Sequence, residues 1–454
     1  SSKDDQKEVK TVEISFPFIL LRTKKGLSMI ERLGRLRFIK KLGWVLLYML
    51  PIAAAVGFYL ILNTVIALIS SASIRGFAGQ ITPSAYLLLP GINPYLPIFY
   101  GWIALIIAMV VHEGMHGVLA RSLGLSVKSS GLILLLILPI GAFVDVDEKE
   151  LKKAKAKDSG RVLAAGPGGN IITALIALLG LILIVSSMVP IVSGVVVTGV
   201  VPNSQAQNKI MFGDRITSVD GLNVTSKSGL DNALEHYAGE KVNLTLVRDG
   251  IILNNTLTIP DGPVIAGVLQ DFPAQKAGVL PGDIIIALNG SRISSSDELS
   301  EYLATLKPED DVTLTVERGE EIKDFAITLA RNPQNSSLPY LGVMLATPSE
   351  SLGIKSVGIV GTLERYRSFG FASPLIYFLL PTLAPYNIPF SDAMNVFYTS
   401  SIGDAFYPLA NLLFWIWFIN INLAIFNALP IYPLDGGQAF KVLLQVVGKN
   451  RLSE

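Results

Sequence analysis

The pentapeptide His112-Glu113-Gly114-Met115-His116 closes an apolar run that begins at Pro97 and reaches Val111, broken only by Tyr100, Gly101 and Trp102. If the run is helical, His112 and His116 lie one turn apart on one face, where a single zinc ion can take both imidazoles. Glu113 then stands beside that position, able to accept a proton from water. The chain holds three histidines in all, so two of them at this spacing form a specific pattern. The simpler alternative is a pair of buried helix histidines with a charged neighbour. It leaves a glutamate in an apolar span without a role, and such a residue is costly there.

Composition supports a bilayer setting. Of 454 residues, 50% are apolar and 16% are charged, and the mean hydropathy is strongly positive. The net charge of +1 comes without any extended basic face, which argues against nucleic acid as a partner. The absence of cysteine excludes disulfides, thiolate nucleophiles and cysteine-ligated zinc. The chain starts with Ser, stops shortly after an apolar run and shows no signal peptide, and is read as a fragment that can lack a span at either end. Four spans are expected, at residues 43–70, 97–120, 164–189 and 406–429. Eight Lys/Arg lie in residues 22–41 and eight in 121–161, against Arg75 alone in 71–96. Positive charge therefore predicts a multi-pass protein integral to the cell membrane, with the histidine pair near the cytoplasmic end of an inward-running span.

Between about residues 192 and 349 the character changes to alternating strands and Gly-Asp turns, with acids outnumbering bases. This block is expected on the outer side. Gly199-Val-Val-Pro-Asn-Ser-Gln-Ala-Gln207 followed by Phe212-Gly-Asp-Arg-Ile-Thr-Ser-Val-Asp-Gly221 recurs as Gly267-Val-Leu-Gln-Asp-Phe-Pro-Ala-Gln275 and Pro281-Gly-Asp-Ile-Ile-Ile-Ala-Leu-Asn-Gly290. Each copy continues into a helix (residues 228–237 and 296–306) and a strand (242–248 and 312–318). The pattern resembles a tandem pair of PDZ domains, which bind peptide C-termini or extended segments by strand addition; a spacer that binds nothing is the alternative. The fold class is thus a polytopic α-helical membrane protein with an inserted all-β/α+β soluble region of two PDZ-like domains. His236 reads as a surface helix residue.

A second constellation is Asn427-Ala-Leu-Pro-Ile-Tyr-Pro-Leu-Asp-Gly-Gly437, at the end of the fourth span. Asp435 there must coordinate a metal, pair with a cation or reach water, and the prolines and glycines around it must break the helix. A third is Gly166-Pro-Gly-Gly-Asn170, read as the start of the third span. Together with the His-Glu-x-x-His span these segments, arranged around PDZ-like domains, resemble the site-2 proteases, a family of intramembrane zinc metalloproteases. The resemblance implies one catalytic zinc held by His112, His116 and Asp435, with Glu113 as catalytic base and Asn170 steadying the developing oxyanion. It implies single-span membrane proteins as substrates.

Residues 131–146 carry a central Pro139 and Gly141 and are too short to span, which predicts a re-entrant hairpin whose strand edge pairs with unwound substrate. Gly141, Ala142 and Phe143 there, with Asn427 and Pro430, are the expected substrate contacts. Parity makes residues 369–389 re-entrant or interfacial, with both ends outside. The expected divisions are a basic cytoplasmic segment at 1–42, the first part of the membrane core at 43–190, PDZ-like domains at 191–262 and 263–350, a re-entrant or interfacial segment at 351–404, and the second part of the core at 405–454. Two other readings stand beside the intramembrane endopeptidase. One is a membrane-anchored zinc protease acting on water-exposed loops; the other is a non-catalytic PDZ receptor.

Overall fold

A computed structural model describes residues 12–24, 26–70, 83–87, 89–93, 96–136, 138–333, 335–372 and 395–451. In chain order, the membrane half opens with strands β1 (Val12–Ser15) and β2 (Phe18–Thr23), helix α1 (Leu27–Gly34) and helix α2 (Arg37–Ser70). Helix α3 (Ile98–Ser122), strands β3 (Val127–Leu135) and β4 (Leu138–Val146) and helix α4 (Ala156–Ser187) follow. The β-rich insertion begins with β5 (Val195–Val200), β6 (Arg215–Val219), α5 (Lys227–Glu235), β7 (Lys241–Arg248) and β8 (Ile251–Thr258). It continues through β9 (Ile265–Val268), β10 (Ile284–Leu288), α6 (Ser296–Ala304), β11 (Asp311–Arg318), β12 (Glu321–Thr328), β13 (Val343–Leu345) and β14 (Ile354–Gly358). Helices α7 (Ile359–Ala372), α8 (Phe406–Ala428) and α9 (Asp435–Arg451) end the chain.

Among the described residues, α2, α3, α4 and the helix ending at Ala428 are long and apolar enough to cross a membrane. They coincide with the four expected spans, but α2 and α4 begin well before the apolar runs. Lys40 and Lys41 are good helix formers and Asp158 lies in the first turn of α4, where an acid is favoured, so charge ends the hydropathic signal before it ends the helix. Pro167 is therefore inside α4 and not at its start. Two compact units result. One is made of Ser1–Ile66, Thr82–Ile184 and Pro408–Glu454, the other of Ala67–Ile81 and Val185–Tyr407.

In the first unit Leu46, Leu119, Ala164, Ala165, Ala424 and Ala428 are buried together, so small residues let α2, α3, α4 and α8 approach closely. The hairpin expected at residues 131–146 is a β-hairpin, β3 against β4. Within the segment expected as basic and cytoplasmic, β1 and β2 form a second hairpin, and β2 pairs with β3 in register Phe18↔Leu135 to Thr23↔Ser130. Its apolar stretch Phe18-Ile-Leu-Leu21 satisfies a strand edge that would otherwise lie bare. The sheet order β1-β2-β3-β4 leaves β4 at the other edge.

The second unit holds two PDZ-like domains, and they are nested where a simple succession at 191–262 and 263–350 was expected. Strand β14 lies beyond the second domain, within the segment expected as re-entrant or interfacial from residue 351, yet it pairs with β5 and ends the first sheet, in order β8-β7-β6-β5-β14. Leu352 and Ile354 accordingly sit in the first core with Leu230, Leu244 and Leu246. The second domain packs β10, β11 and β12 around Ile285, Leu314 and Val316, while β9 pairs with β13. The expected re-entrant segment 369–389 lies, from residue 373 onward, outside the described residues.

Candidate metal centre

Helix α3 brings His112 and His116 to one face, their rings 5.0 Å apart. Asp435 reaches the same point from the first turn of α9. Between α8 and α9 the chain turns back so closely that a Cβ on Gly436 or Gly437 would strike the backbone of Ala428 or Ile431. Both glycines are thus needed to fold the carboxylate back.

Three ligand atoms converge. Asp435 Oδ2 lies 3.0 Å from His112 Nε2 and 3.3 Å from His116 Nε2, and the two Nε2 atoms are 3.4 Å apart. Bonds of about 2.0–2.1 Å at tetrahedral angles require ligand separations of about 3.3 Å, so the donor set fits zinc. The third wall is Gly166 of α4. A Cβ there would collide with Nε2 of both histidines, filling the space a metal needs. On Gly168 and Gly169 a Cβ would press into Leu46 of α2 and Met115 of α3. The glycines read as a helix start are, within the helix, the condition for α4 to close on the ligands.

The imidazoles are held from behind by α4. His116 Nδ1 meets the backbone carbonyl of Val162 at 2.7 Å, and His112 Nδ1 meets the amide of Asn170 at 3.3 Å. Asn170 is fully buried. It sits on the ring nitrogen remote from the convergence point.

Glu113 is half-buried, and the N–H of Val144 in β4 donates to its Oε2 at 3.1 Å. A cavity of about 410 Å³ opens here, lined among others by Glu113, His116, Asp435, Arg22, Phe143 and Asp145. Arg22, from β2, stands 5.2 Å from the Phe143 ring and 3.6 Å from the Asp145 carboxylate. Beyond the end of β4, Lys128 donates to Asp147 at 2.8 Å and, with the amides of Glu150 and Lys149, holds that carboxyl down to about 2. Of the expected substrate contacts, Phe143 lines this cavity, whereas Gly141 and Ala142 lie along β4 outside its lining. Asn427 is half-buried in the last turn of α8. Pro430 lines a separate apolar cavity of about 580 Å³ with Leu50, Pro51 and Phe58. His236 is exposed on the first PDZ-like domain, its Nδ1 against the Asn232 carbonyl. Sequence reasoning missed Gly166, Arg22 and the backbone of Val162 and Val144. Only Gly166 carried a signal, as a glycine in a motif beside an asparagine.

The model of Peptidase family M50 matches residues 100–454, which include His112, Glu113, His116 and Asp435. The chain belongs to that family. It is a membrane zinc metalloprotease of the site-2 type, with PDZ-like domains inserted. It is 25% identical to an uncharacterized protein of Methanocaldococcus jannaschii, over 92% of this chain and 75% of that one. A probable membrane metalloprotease of Arabidopsis thaliana chloroplasts is 30% identical over 42% of this chain and 44% of its own length. A putative zinc metalloprotease of Clostridium perfringens is 26% identical over 52% and 69%. Among solved structures, the PDZ domain of an SdrC-like protein of Listeria monocytogenes matches at 25% identity, covering 20% of this chain and 93% of that domain, with a TM-score of 0.18.

Proposed function

We propose that this M50 protease is an intramembrane endopeptidase, cutting peptide bonds in or near the transmembrane segment of single-span proteins with one catalytic zinc. The observation that carries the reading is the place of the base. Glu113 and two ligands lie on a helix apolar enough to span, beside the open edge of β4. Bound zinc supplies Lewis acidity, polarising a peptide carbonyl and acidifying water.

The chain's residues do the rest. The Val144 N–H fixes one oxygen of Glu113, so the carboxylate is aimed as it takes a proton from water and passes it to the departing nitrogen. A helical substrate hides its amides in its own hydrogen bonds. Edge strand β4 offers an unwound segment alternative partners, and Phe143 offers a side-chain contact. The charge distribution supports a cytoplasmic position for the metal end of α3 and an outer position for the PDZ-like domains. Strands β13 and β14, each paired on one side only among the described residues, support capture of peptide C-termini or extended segments there.

Two reporters of equal cleavable sequence test this, one with the site in its single span and one with it in a soluble loop. Cleavage of the spanning reporter alone is expected. Equal cleavage of the soluble one would replace this reading by a membrane-anchored protease of exposed loops.

A further inference from the structure

The two imidazoles are not held alike. The Val162 carbonyl can only accept, so the hydrogen bond to His116 fixes the proton on Nδ1 and leaves Nε2 as a lone pair aimed at the convergence point. His112 presents its Nε2 to the same point, so it needs the same tautomer, and its Nδ1–H needs an acceptor. Facing it is the Asn170 side chain, fully buried, with Nδ2 at 3.3 Å from Nδ1 and Oδ1 without a partner among the described residues. An N–H against an N–H is repulsive, and a buried amide oxygen left unpaired is costly. Which end of an amide is oxygen is an assignment made from the hydrogen-bond network. Turning the amide over removes both problems.

We infer that Asn170 is a positioning residue whose side-chain carbonyl accepts the Nδ1 proton of His112, fixing the tautomer that lets His112 ligate zinc. The oxyanion role expected from the motif needs the opposite end of the amide, acting as a donor. The inference rests on the reading of His112 as a ligand. It adds a reason for the asparagine in Gly166-Pro-Gly-Gly-Asn170: the Val162 position on α4 serves His116 with backbone, whereas His112 must be served by a side chain.

Zinc affinity of the full chain in detergent, by competition with a chromophoric chelator, separates the two roles, with thermal melting of the metal-free chain as a control on folding. Asn170→Leu, close in volume but without an acceptor, is expected to weaken zinc binding about 10–100-fold. Asn170→Asp keeps an acceptor and is expected to stay within a few-fold of the unsubstituted chain. Unchanged affinity in Asn170→Leu, with only turnover lost, would overturn the inference in favour of an oxyanion donor. Equal loss in Asn170→Leu and Asn170→Asp, with melting unaltered, would overturn it in favour of packing alone. An unsubstituted chain that binds no zinc would overturn the metal reading itself, and this inference with it.

Discussion

Gly166 decides more at the metal centre than its lack of side chain suggests. Asp435, His112 and His116 supply the donors, but the space between them exists because α4 passes with no Cβ at residue 166. Gly166→Ala adds one methyl group and is expected to abolish stoichiometric zinc binding while the metal-free chain melts within a few degrees of the parent. Metal analysis of purified protein checks this, and full zinc occupancy in the variant would refute the packing account. The histidine pair and Glu113 were legible in the sequence because the helix period and the cost of charge in an apolar span leave few other roles for them, whereas Asp435 as a ligand came only from the family resemblance. Gly166 was legible only as a glycine. Its contact belongs to a neighbouring helix, and no local pattern in α4 reports it.

At the scale of elements, β4 and the paired Gly-Asp turns show what a strand and a turn contribute. The Val144 N–H points away from β3 and to Glu113, so proline at 144 removes that donor on the edge side of the strand. Val144→Pro is expected to lower turnover at least about 10-fold with zinc content unchanged; unchanged turnover would show that β4 does not aim the base. In the PDZ-like domains the repeated Asp has the same task twice. Arg248 on β7 grips Asp214 through Nε and Nη2 at 2.7 Å each, and Arg318 on β11 grips Asp283 at 2.6 and 2.7 Å. Each carboxylate also accepts a turn amide, from Met211 or from Leu280.

Burial alone would raise the Asp283 carboxyl, but the Arg318 hydrogen bonds, the Leu280 amide and the Arg318 and Lys323 charges together outweigh it and hold the group below its ordinary range. Its contribution to stability is therefore complete above the unfolded value near 4 and is lost as pH falls through the depressed folded value. Asp283→Asn should destabilise the second domain by about 3 kcal/mol at neutral pH, and the gap to the parent should narrow below about pH 4. Amide exchange in Ile284–Leu288 across pH reads this, and a pH-independent gap would refute it. The Gly-Asp turns were visible as a repeat. The nesting was not, because β14 pairs with a strand more than a hundred residues earlier and carries no repeat signature of its own.

Across the whole molecule, four apolar helices and a β-rich insertion follow from hydropathy and alternation, which are properties of contiguous sequence. The pairing of β2 with β3 was beyond that reach, since it joins residues on either side of two long helices. The charge distribution predicts that cysteines introduced singly at Lys152 and at Lys276, in a chain with none of its own, label from opposite sides of the membrane. Labelling of both from one side would invert or break the proposed topology. Function at this site requires that the convergence of His112, His116 and Asp435 beside Glu113 be a working zinc site inside the membrane core. The direct test compares the native chain with Glu113→Gln in detergent, measuring zinc content and cleavage of a single-span reporter. The account predicts zinc in both proteins, with cleavage in the native chain alone and reduced at least about 1,000-fold in the variant. Cleavage that survives the substitution, or a native chain that binds no zinc, would contradict it.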